Sequence, residues 1–287
     1  MTLPNKVETQ EGVVASVALS PASFARFARF ITMELGIKMP ESKMTMVQSR
    51  LLRRVRDLRL KSVDHYGDYF FDASHTEERE HFINAITTNK TDFFREPEHF
   101  DYLCGVVLPA ASHPGRRFKA WSAGCSSGEE PYTLAMLLAE CASRRPGFDF
   151  AILGTDVSSK VLTHARNGVY QESQILPVPP ELRRKYLLRS RNDAERLARV
   201  VPELRKKVSF HPLNFMDEDY GIRDTFDVVF FRNVMIYFDR GTQEAVIHKI
   251  CRNLAPGGYL FAGHSESLAS LDVPLRPIKT SIYRKPL

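Results

Sequence analysis

The sequence predicts an α/β protein that begins with a small all-helical N-terminal domain, and three observations support this fold class. Apolar residues recur at helical spacing through residues 20–90. From Phe118 to the C-terminus, short apolar runs alternate with helical patterns, which is typical of a parallel sheet covered on both faces. This alternation stops between residues 170 and 206, where prolines precede a highly charged segment, so we expect an insertion or small subdomain there.

The composition of the 287 residues is that of a soluble globular protein, with 43% apolar and 26% charged residues. A formal charge of +6 is compatible with an acidic partner. The four cysteines are scattered, which favours reduced, packed thiols over a disulfide, and we expect no metal. No apolar run reaches the ~18–20 residues of a membrane span. The residues before the early apolar run 13–19 sum to a charge of −1, so we expect no secretory signal there. We therefore expect a cytoplasmic protein without direct membrane insertion.

Residues 1–19 lack helical periodicity and are predicted to be a flexible tail. The helical domain follows over residues 20–90, and its first helix starts with Ser20 as N-cap and Pro21 in the first turn and ends before Gly36. Apolar spacing predicts further helices over residues 42–60, 63–71 and 77–86. Residues 91–116 are expected to be a linker with a connecting helix.

The second of these helices has a strongly basic face. Residues 50–61 contain five arginines and one lysine against one aspartate, a net charge of +5. Such a run is often a solvated helix face, and the alternative is a docking face for an acidic surface. No aromatic side chains interleave with the arginines, so the segment is unlike sites that stack single-stranded nucleic acid.

The stretch from Phe118 to Tyr132 predicts the start of a Rossmann-like nucleotide pocket. A strand over residues 118–123 runs into the small-residue turn 124–128, and a helix over residues 129–141 follows. Glu129 and Glu130 stand at the N-terminus of that helix, where a phosphate would otherwise bind. Two carboxylates repel a phosphate and favour a cationic ligand, so a sulfonium nucleoside such as S-adenosylmethionine fits this turn.

The remaining pattern completes the sheet. Strands are predicted over residues 148–154, 207–210, 226–231 and 259–262, with a final edge strand within residues 277–284. Helices are predicted over residues 158–167, 181–188 and 242–254, the second of them inside the insertion. Residues 197–201 are expected to be an edge strand of the insertion.

Ligands of open α/β sheets bind at the carboxyl ends of the strands, so the residues there are candidates for the site. Asp156 is placed to bind ribose hydroxyls, although it could also cap the helix that follows it. The strand ends show no metal-ligand spacing, no phosphate-binding Gly-Lys loop and no nucleophile elbow. They carry carboxylates and amides instead, and this ordered set favours a methyltransferase: Glu129, Glu130, Asp156, Asn214, Asn233, Tyr237, His264 and Glu266.

Four segments of the chain resemble the chemotaxis receptor glutamate methyltransferases, the CheR family. They are Thr87–Glu96, Trp121–Tyr132, Phe231–Phe238 and Phe261–Glu266. The resemblance implies an S-adenosylmethionine-dependent protein-glutamate O-methyltransferase. Its Rossmann-like catalytic domain would span residues 117–287, with the β-subdomain inserted near residues 186–206. The implied products are S-adenosylhomocysteine and a γ-glutamyl methyl ester on the cytoplasmic helical domain of a chemoreceptor.

The resemblance also implies roles for individual residues. Glu130, and less directly Glu129, would hold the methionine amino group, and Asp156 would bind the ribose. The implied catalytic pair, nearest the transferred methyl group, is Arg95 and Tyr237. Arg95 would also contact the cofactor, in a loop that closes over it together with Asn89 and Thr91. The remaining residues implied to contact the cofactor are Asn214, Phe215, Asn233 and Val234. The resemblance makes docking the favoured interpretation of the basic helix face, through Arg53, Arg54, Arg56 and Arg59.

One departure and two competing hypotheses follow from the same residues. Family members that bind a receptor's C-terminal pentapeptide carry glycines in the β-subdomain, whereas residues 189–199 contain none, so pentapeptide binding is in doubt. A nucleic-acid methyltransferase would have an Asn-Pro-Pro-Tyr loop where this chain has Asn233–Tyr237, and both prolines are absent, so we expect no nucleic-acid partner. A non-catalytic S-adenosylmethionine sensor is the second alternative, and the complete set around Asn89, Arg95 and Glu130 argues against it.

Overall fold

A computed structural model describes residues 18–111 and 116–287 of the chain. The described residues form two compact units, one of residues 18–29 and 39–86 and the other of residues 30–38 and 87–287. The tail predicted over residues 1–19 lies outside the described residues except at its last two positions. Within the described ranges, no helix is long and apolar enough to cross a membrane.

The first unit is helical and has an aromatic core. Its helices, the first of which continues into the second unit, are α1 (Pro21–Leu35), α2 (Met44–Asp57), α3 (Val63–Phe71) and α4 (Glu78–Ile86). The rings of Phe27, Tyr66, Phe70 and Phe82 stack on one another with centroids 4.3 to 6.1 Å apart. The predicted helices are confirmed, although α2 ends at Asp57 rather than residue 60 because the chain turns at Arg59, where φ is +54°.

The second unit contains a mixed sheet of seven strands and a separate sheet of three. Its strands are β1 (Phe118–Ala123), β2 (Phe150–Asp156), β3 (Val169–Gln171), β4 (Leu187–Arg189), β5 (Leu197–Val200), β6 (Val208–Pro212), β7 (Phe226–Phe231), β8 (Leu254–Ala262), β9 (Arg276–Lys279) and β10 (Ile282–Arg284). Its helices are α5 (Pro97–Tyr102), α6 (Leu108–Ala110), α7 (Glu129–Arg144), α8 (Ser159–Asn167), α9 (Pro180–Tyr186), α10 (Pro202–Arg205) and α11 (Arg240–Arg252). A π-helical turn, Leu103–Val107, joins α5 to α6.

The large sheet has the strand order β6-β2-β1-β7-β8-β10-β9, and its first five strands are parallel. The central strands β1 and β7 are buried at all but one position, as expected for parallel strands covered on both faces. The chain leaves β1 to one side for β2 and comes back to its other side as β7. The carboxyl ends of β1 and β7 therefore flank a topological switch point, where ligands of this architecture bind.

The inserted sheet has the order β3-β5-β4 and is antiparallel. The strand expected at residues 197–201 is confirmed as β5, but it is the central strand rather than an edge. The small sheet also starts at Val169, ahead of the expected residue 186. Both differences have the same cause. The strands β3 and β4 are only three residues long and form by pairing with β5, one on each side, which makes β5 central and moves the start of the sheet to β3.

The C-terminus adds two strands to the large sheet rather than the one predicted. The first of them, β9, is fully exposed at the sheet edge, and β10 pairs antiparallel with both β9 and β8. The four cysteines are free thiols: Cys125 and Cys251 are buried, Cys141 is partly buried and Cys104 is exposed.

Candidate active site

The glycine turn after β1 requires its glycines for steric reasons. Gly124 has φ +83°, and a Cβ atom there would lie 2.5 Å from the Val234 side chain. Gly128 has φ +98°, and a Cβ atom there would lie 2.8 Å from both the Ala165 side chain and the Tyr170 hydroxyl. The turn thus brings the chain after β1 against the segment that follows β7, at the switch point of the sheet.

Asp156 ends β2 and ties that strand to the glycine turn. Its Oδ2 accepts the Ser126 N–H at 2.9 Å, and its Oδ1 accepts the Ser158 N–H at 3.0 Å. Burial raises the pKa of this carboxyl group, and the backbone N–H groups act against that shift. The alternative in which Asp156 caps α8 is wrong, because the Ser158 hydroxyl is the N-cap and accepts the Val161 N–H.

The two glutamates at the start of α7 differ in their surroundings. Glu129 is 2% exposed and accepts the Ser127 hydroxyl at 2.7 Å. Glu130 accepts the Ser122 hydroxyl at 2.6 Å, and its Oε2 lies 3.4 Å from Nη1 of Arg232. Burial raises the pKa of both carboxyl groups. Glu130 is therefore the carboxylate that pairs with Arg232 at the switch point, whereas Glu129 is held by its hydrogen bond to Ser127 of the glycine turn.

Arg232, the first residue after β7, was not among the predicted site residues. Its side chain is 2% exposed, and its Nη2 lies 3.4 Å from Oε2 of Glu96 and donates to the Arg95 carbonyl. Its Nε and Nη1 have no hydrogen-bond partner among residues 18–111 and 116–287. The sequence places Arg232 directly after the apolar run 228–231, but its spacing does not identify Glu96 and Glu130 as partners.

The segment from Asn89 to Glu96 lies beside the glycine turn. The Ser126 hydroxyl donates to the Asn89 carbonyl at 2.9 Å, and the Phe94 N–H donates to the Thr133 hydroxyl of α7 at 3.2 Å. Arg95 is half-buried and donates from Nη1 to the Lys90 carbonyl at 3.2 Å, while Thr91 is half-buried in the same segment. The structure thus brings this predicted segment to the glycine turn and to Arg232.

Asn233 and Glu266 join the chain segments that follow β7 and β8. Oε2 of Glu266 accepts the Asn233 N–H at 2.8 Å and the Gly263 N–H at 2.7 Å, and its Oε1 accepts the Ile236 N–H at 3.3 Å. The Asn233 amide donates to Oε1 of Glu96 at 3.4 Å. Gly263 has no room for a side chain, since a Cβ atom would lie 2.6 Å from the Asn233 amide nitrogen.

The side chain of Asn214 is engaged by the backbone at both ends. Its Nδ2 donates to the Glu34 carbonyl at 2.6 Å, and its Oδ1 accepts the Met216 N–H at 3.1 Å. Phe215 follows it and lies 3.9 Å from the position of a Cβ at Gly124. Tyr237 is half-buried in a short 3₁₀ turn, and its carbonyl accepts the Lys38 N–H at 2.8 Å.

The basic helix face of the first unit is smaller than predicted. Arg54 turns inward, with its Nε and Nη2 bound to the two carboxylate oxygens of Glu78 at 2.8 and 2.7 Å. The Tyr66 hydroxyl donates to the same carboxylate at 2.8 Å. Arg53, Arg56 and Arg59 are exposed. The predicted docking set therefore contains three arginines at the surface and one that holds the helices together.

Comparison with known proteins identifies two matching family models. The model described as "CheR methyltransferase, all-alpha domain" matches residues 22–87, and the one described as "CheR methyltransferase, SAM binding domain" matches residues 89–284. The chain is 39% identical over 259 residues to the chemotaxis protein methyltransferase of Escherichia coli (strain K12), covering 89% of this chain and 88% of the relative. It is 35% identical over 276 residues to the protein of that name from Borreliella burgdorferi, covering 94% and 96%.

Proposed function

This chain belongs to the CheR methyltransferase family, and we propose that it forms γ-glutamyl methyl esters on the cytoplasmic helical domain of chemoreceptors. It is an S-adenosylmethionine-dependent methyltransferase of chemotaxis. One observation carries the proposal in this chain, namely the pairing of Arg232 with Glu130 at the switch point of the sheet. This pair offers one anionic and one cationic group in a buried place.

The methionine end of the cofactor has the charges that this pair would bind. It carries an ammonium group and a carboxylate on the same carbon atom. Glu130 would accept the ammonium N–H groups, and the planar Arg232 guanidinium would donate Nε–H and Nη1–H to the carboxylate. A buried donor without a hydrogen-bond partner costs about 1–3 kcal/mol. The cofactor's carboxylate would accept hydrogen bonds from Nε and Nη1 of Arg232, which have none from the described residues, and would remove that cost. The residues present therefore fit the cofactor.

The nucleoside end would extend toward β2 and β6. A carboxylate has about four acceptor positions, and the backbone N–H groups of Ser126, Val157 and Ser158 use three of those of Asp156, so capacity remains for one ribose hydroxyl. Because the Asn214 amide is engaged by Glu34 and Met216, we expect backbone groups at Asn214 and Phe215 to contact the adenine. Asn89 and Thr91 would cover the cofactor from the other side.

The proposed reaction needs positioning more than acid–base catalysis. S-adenosylmethionine supplies a methyl group on a positively charged sulfur and leaves a neutral thioether after transfer. A glutamate side chain has an ordinary pKa of ~4.3 and is ionised at pH 7, so this chain needs no general base. Arg95 would orient the substrate carboxylate, and the Tyr237 hydroxyl would align it with the methyl group. Exclusion of water would strengthen both contacts.

The exposed arginines of α2 and the turn after it are proposed to dock the receptor. The methylated region of the proposed substrate is an acidic helix, and Arg53, Arg56 and Arg59 present positive charge at the surface of the first unit. Arg54 is excluded from this role by its pairing with Glu78. The proposal does not extend to a receptor pentapeptide, and calorimetry with such a peptide tests that point directly.

A labelled-methyl assay tests the proposed function. The protein is incubated with methyl-labelled S-adenosylmethionine, receptor-containing membranes and DNA, and the label on each is counted before and after mild base. We expect base-labile label on the receptor, because esters hydrolyse in base, and little label with a Glu130→Gln variant. Base-stable label on DNA, or no label on either acceptor, would contradict the proposal.

A further inference from the structure

Tyr237 lies in a short turn whose backbone is held by side chains from two other segments. We call residues 233–238, which follow β7 and contain a 3₁₀ turn, the Tyr237 turn. Glu266, in the segment after β8, accepts backbone N–H groups of this turn. Gln243 of α11 donates to backbone carbonyl groups of the same turn. All of these residues belong to the second unit, so the place of Tyr237 depends on contacts that its neighbours in the chain do not make.

The turn begins in a backbone conformation that needs support. Asn233 has φ +60°, in the left-handed region. Residues other than glycine persist in this region when surrounding contacts fix them, and asparagine does so more readily than most. The segment after β8 packs closely against this point, since a Cβ atom at Gly263 would lie 2.8 Å from Oε2 of Glu266 and 2.9 Å from the Asn233 backbone nitrogen. The conformation of the turn therefore depends on the segment that carries Glu266.

Both oxygens of the Glu266 carboxylate accept hydrogen bonds from the backbone. The side chain is buried, and its Oε2 accepts the Asn233 N–H at 2.8 Å and the Gly263 N–H at 2.7 Å. Its Oε1 accepts the Ile236 N–H at 3.3 Å, and the Met235 N–H is a fourth donor. Burial raises the pKa of this carboxyl group, and the four N–H groups act against that shift. Only a group that accepts at both ends fits this place.

We propose that Glu266 is a positioning residue for methyl transfer, which fixes the Asn233 end of the turn through Oε2 and the Tyr237 end through Oε1. The proposal rests on the proposed function, in which the Tyr237 hydroxyl aligns the substrate carboxylate and Asn233 lines the cofactor. Gln243 holds the turn from the opposite side, through the carbonyl groups of Met235 at 2.9 Å and of Phe238 at 3.4 Å. Glu266 acts through the turn and is assigned no contact with the reacting atoms.

The two oxygens allow the two ends of the turn to be tested separately. Glu266→Gln replaces one oxygen by an NH₂ group, which donates and cannot accept. We expect the remaining oxygen to keep the two short bonds, to Asn233 and Gly263, so that the NH₂ group faces the Ile236 N–H. Two donors that face each other make no hydrogen bond, so this variant releases the Tyr237 end alone. Glu266→Ala releases both ends.

Turnover and cofactor affinity should therefore respond differently. In Glu266→Gln we expect kcat for receptor methylation to fall roughly tenfold, with S-adenosylhomocysteine affinity within about threefold of the wild type. In Glu266→Ala both should fall. The double variant Glu266→Gln/Tyr237→Phe should be within about threefold of the slower single variant, because both substitutions act on one group. Glu244→Gln is the matched control with unchanged kcat, since Glu244 also accepts a backbone N–H, that of Asp272 at 3.2 Å, but on α11 and away from the site.

Amide hydrogen exchange followed by NMR tests the hold on the turn without any activity. We expect the Ile236 amide to exchange at least about tenfold faster in Glu266→Gln and the Asn233 amide to exchange as in the wild type. In a wild type without methyl transfer the proposed function fails, and this exchange still decides whether Glu266 holds the turn. The proposal is overturned by unchanged exchange at Ile236, by wild-type kcat in Glu266→Gln, or by losses that multiply in the double variant. A parallel loss of S-adenosylhomocysteine affinity in Glu266→Gln would overturn it as well.

Discussion

The binding of the cofactor's methionine end by Arg232 leads to a quantitative prediction. The substitution Arg232→Lys keeps a positive charge in the buried position but removes the planar pair of N–H groups. A hydrogen bond between charged groups contributes about 1.5–3 kcal/mol, which corresponds to roughly 10- to 150-fold in affinity. We expect S-adenosylmethionine and S-adenosylhomocysteine to lose affinity by this factor, because both carry the amino-acid end. Isothermal titration calorimetry measures each dissociation constant.

Two comparisons separate this effect from general damage to the fold. Methylthioadenosine has the same nucleoside without the amino-acid group, so its affinity should be the same in Arg232→Lys as in the wild type. Arg240→Lys is the matched control, because Arg240 is exposed on α11 and pairs with Glu244 at the surface. An Arg232→Lys variant that binds S-adenosylhomocysteine within threefold of the wild type would refute the assignment. Equal losses for all three nucleosides would refute it too.

The same side chain should be important for stability. Arg232 contacts two carboxylates, Glu96 and Glu130, in a site that is almost fully buried. Removing one partner of a buried ion pair costs about 3–5 kcal/mol, since the remaining charge is left without compensation. For a chain of this size we therefore expect Arg232→Gln to lower the melting temperature by roughly 6–20 °C. Differential scanning calorimetry measures this shift, with Arg240→Gln as the surface control.

Three further predictions concern pH, turnover and docking. Burial raises the pKa of Glu130, and only the ionised carboxylate binds an ammonium group. As the pH is lowered, cofactor affinity should therefore begin to fall at a higher pH than it would with a glutamate of ordinary pKa. Binding titrations across pH should show this fall in the wild type and a flat profile in Glu130→Gln. Arg95→Ala and Tyr237→Phe should each lower kcat while leaving S-adenosylhomocysteine affinity nearly unchanged, and the loss in Arg95→Ala should be on the order of 10²-fold. Wild-type turnover in both variants would show that the assigned roles are wrong. Reversing two surface charges with Arg53→Glu and Arg56→Glu should raise the KM for receptor roughly tenfold at low salt and less at high salt. The control Arg276→Glu, on the exposed strand β9, should leave this KM unchanged. An unchanged KM in the double variant would contradict docking through α2.

Elements with strong local signals agree with the prediction most closely. Residues 63–71, 118–123 and 226–231 form the predicted helix and strands with unchanged bounds. Helical spacing, capping residues and continuous apolar runs act within a few residues, so they are visible in the chain itself. The inserted sheet was predicted in part only. Its strands β3 and β4 are too short to show a pattern, and they exist because β5 pairs with both of them.

The candidate site shows the same division between local and distant causes. The four motif segments were sufficient to predict the family and the cofactor, and the family is confirmed. The roles of the residues at the strand ends stay predictions. Arg232 was not predicted as a site residue, and the basic face was predicted to include Arg54, which pairs with Glu78 instead. In both cases an arginine pairs with a glutamate from another segment, and spacing along the chain does not reveal that pairing.

The amino-acid order alone therefore determines the alternation of strands and helices, the glycine turn and the pair of acids after it, because these depend on neighbouring residues. Tertiary structure decides which acid is held within the turn, which is paired with Arg232, and which arginines remain at the surface. The physical reason is desolvation. A charge that loses water must find a partner, and the partners of Glu130 and Arg54 come from residues far away in the chain.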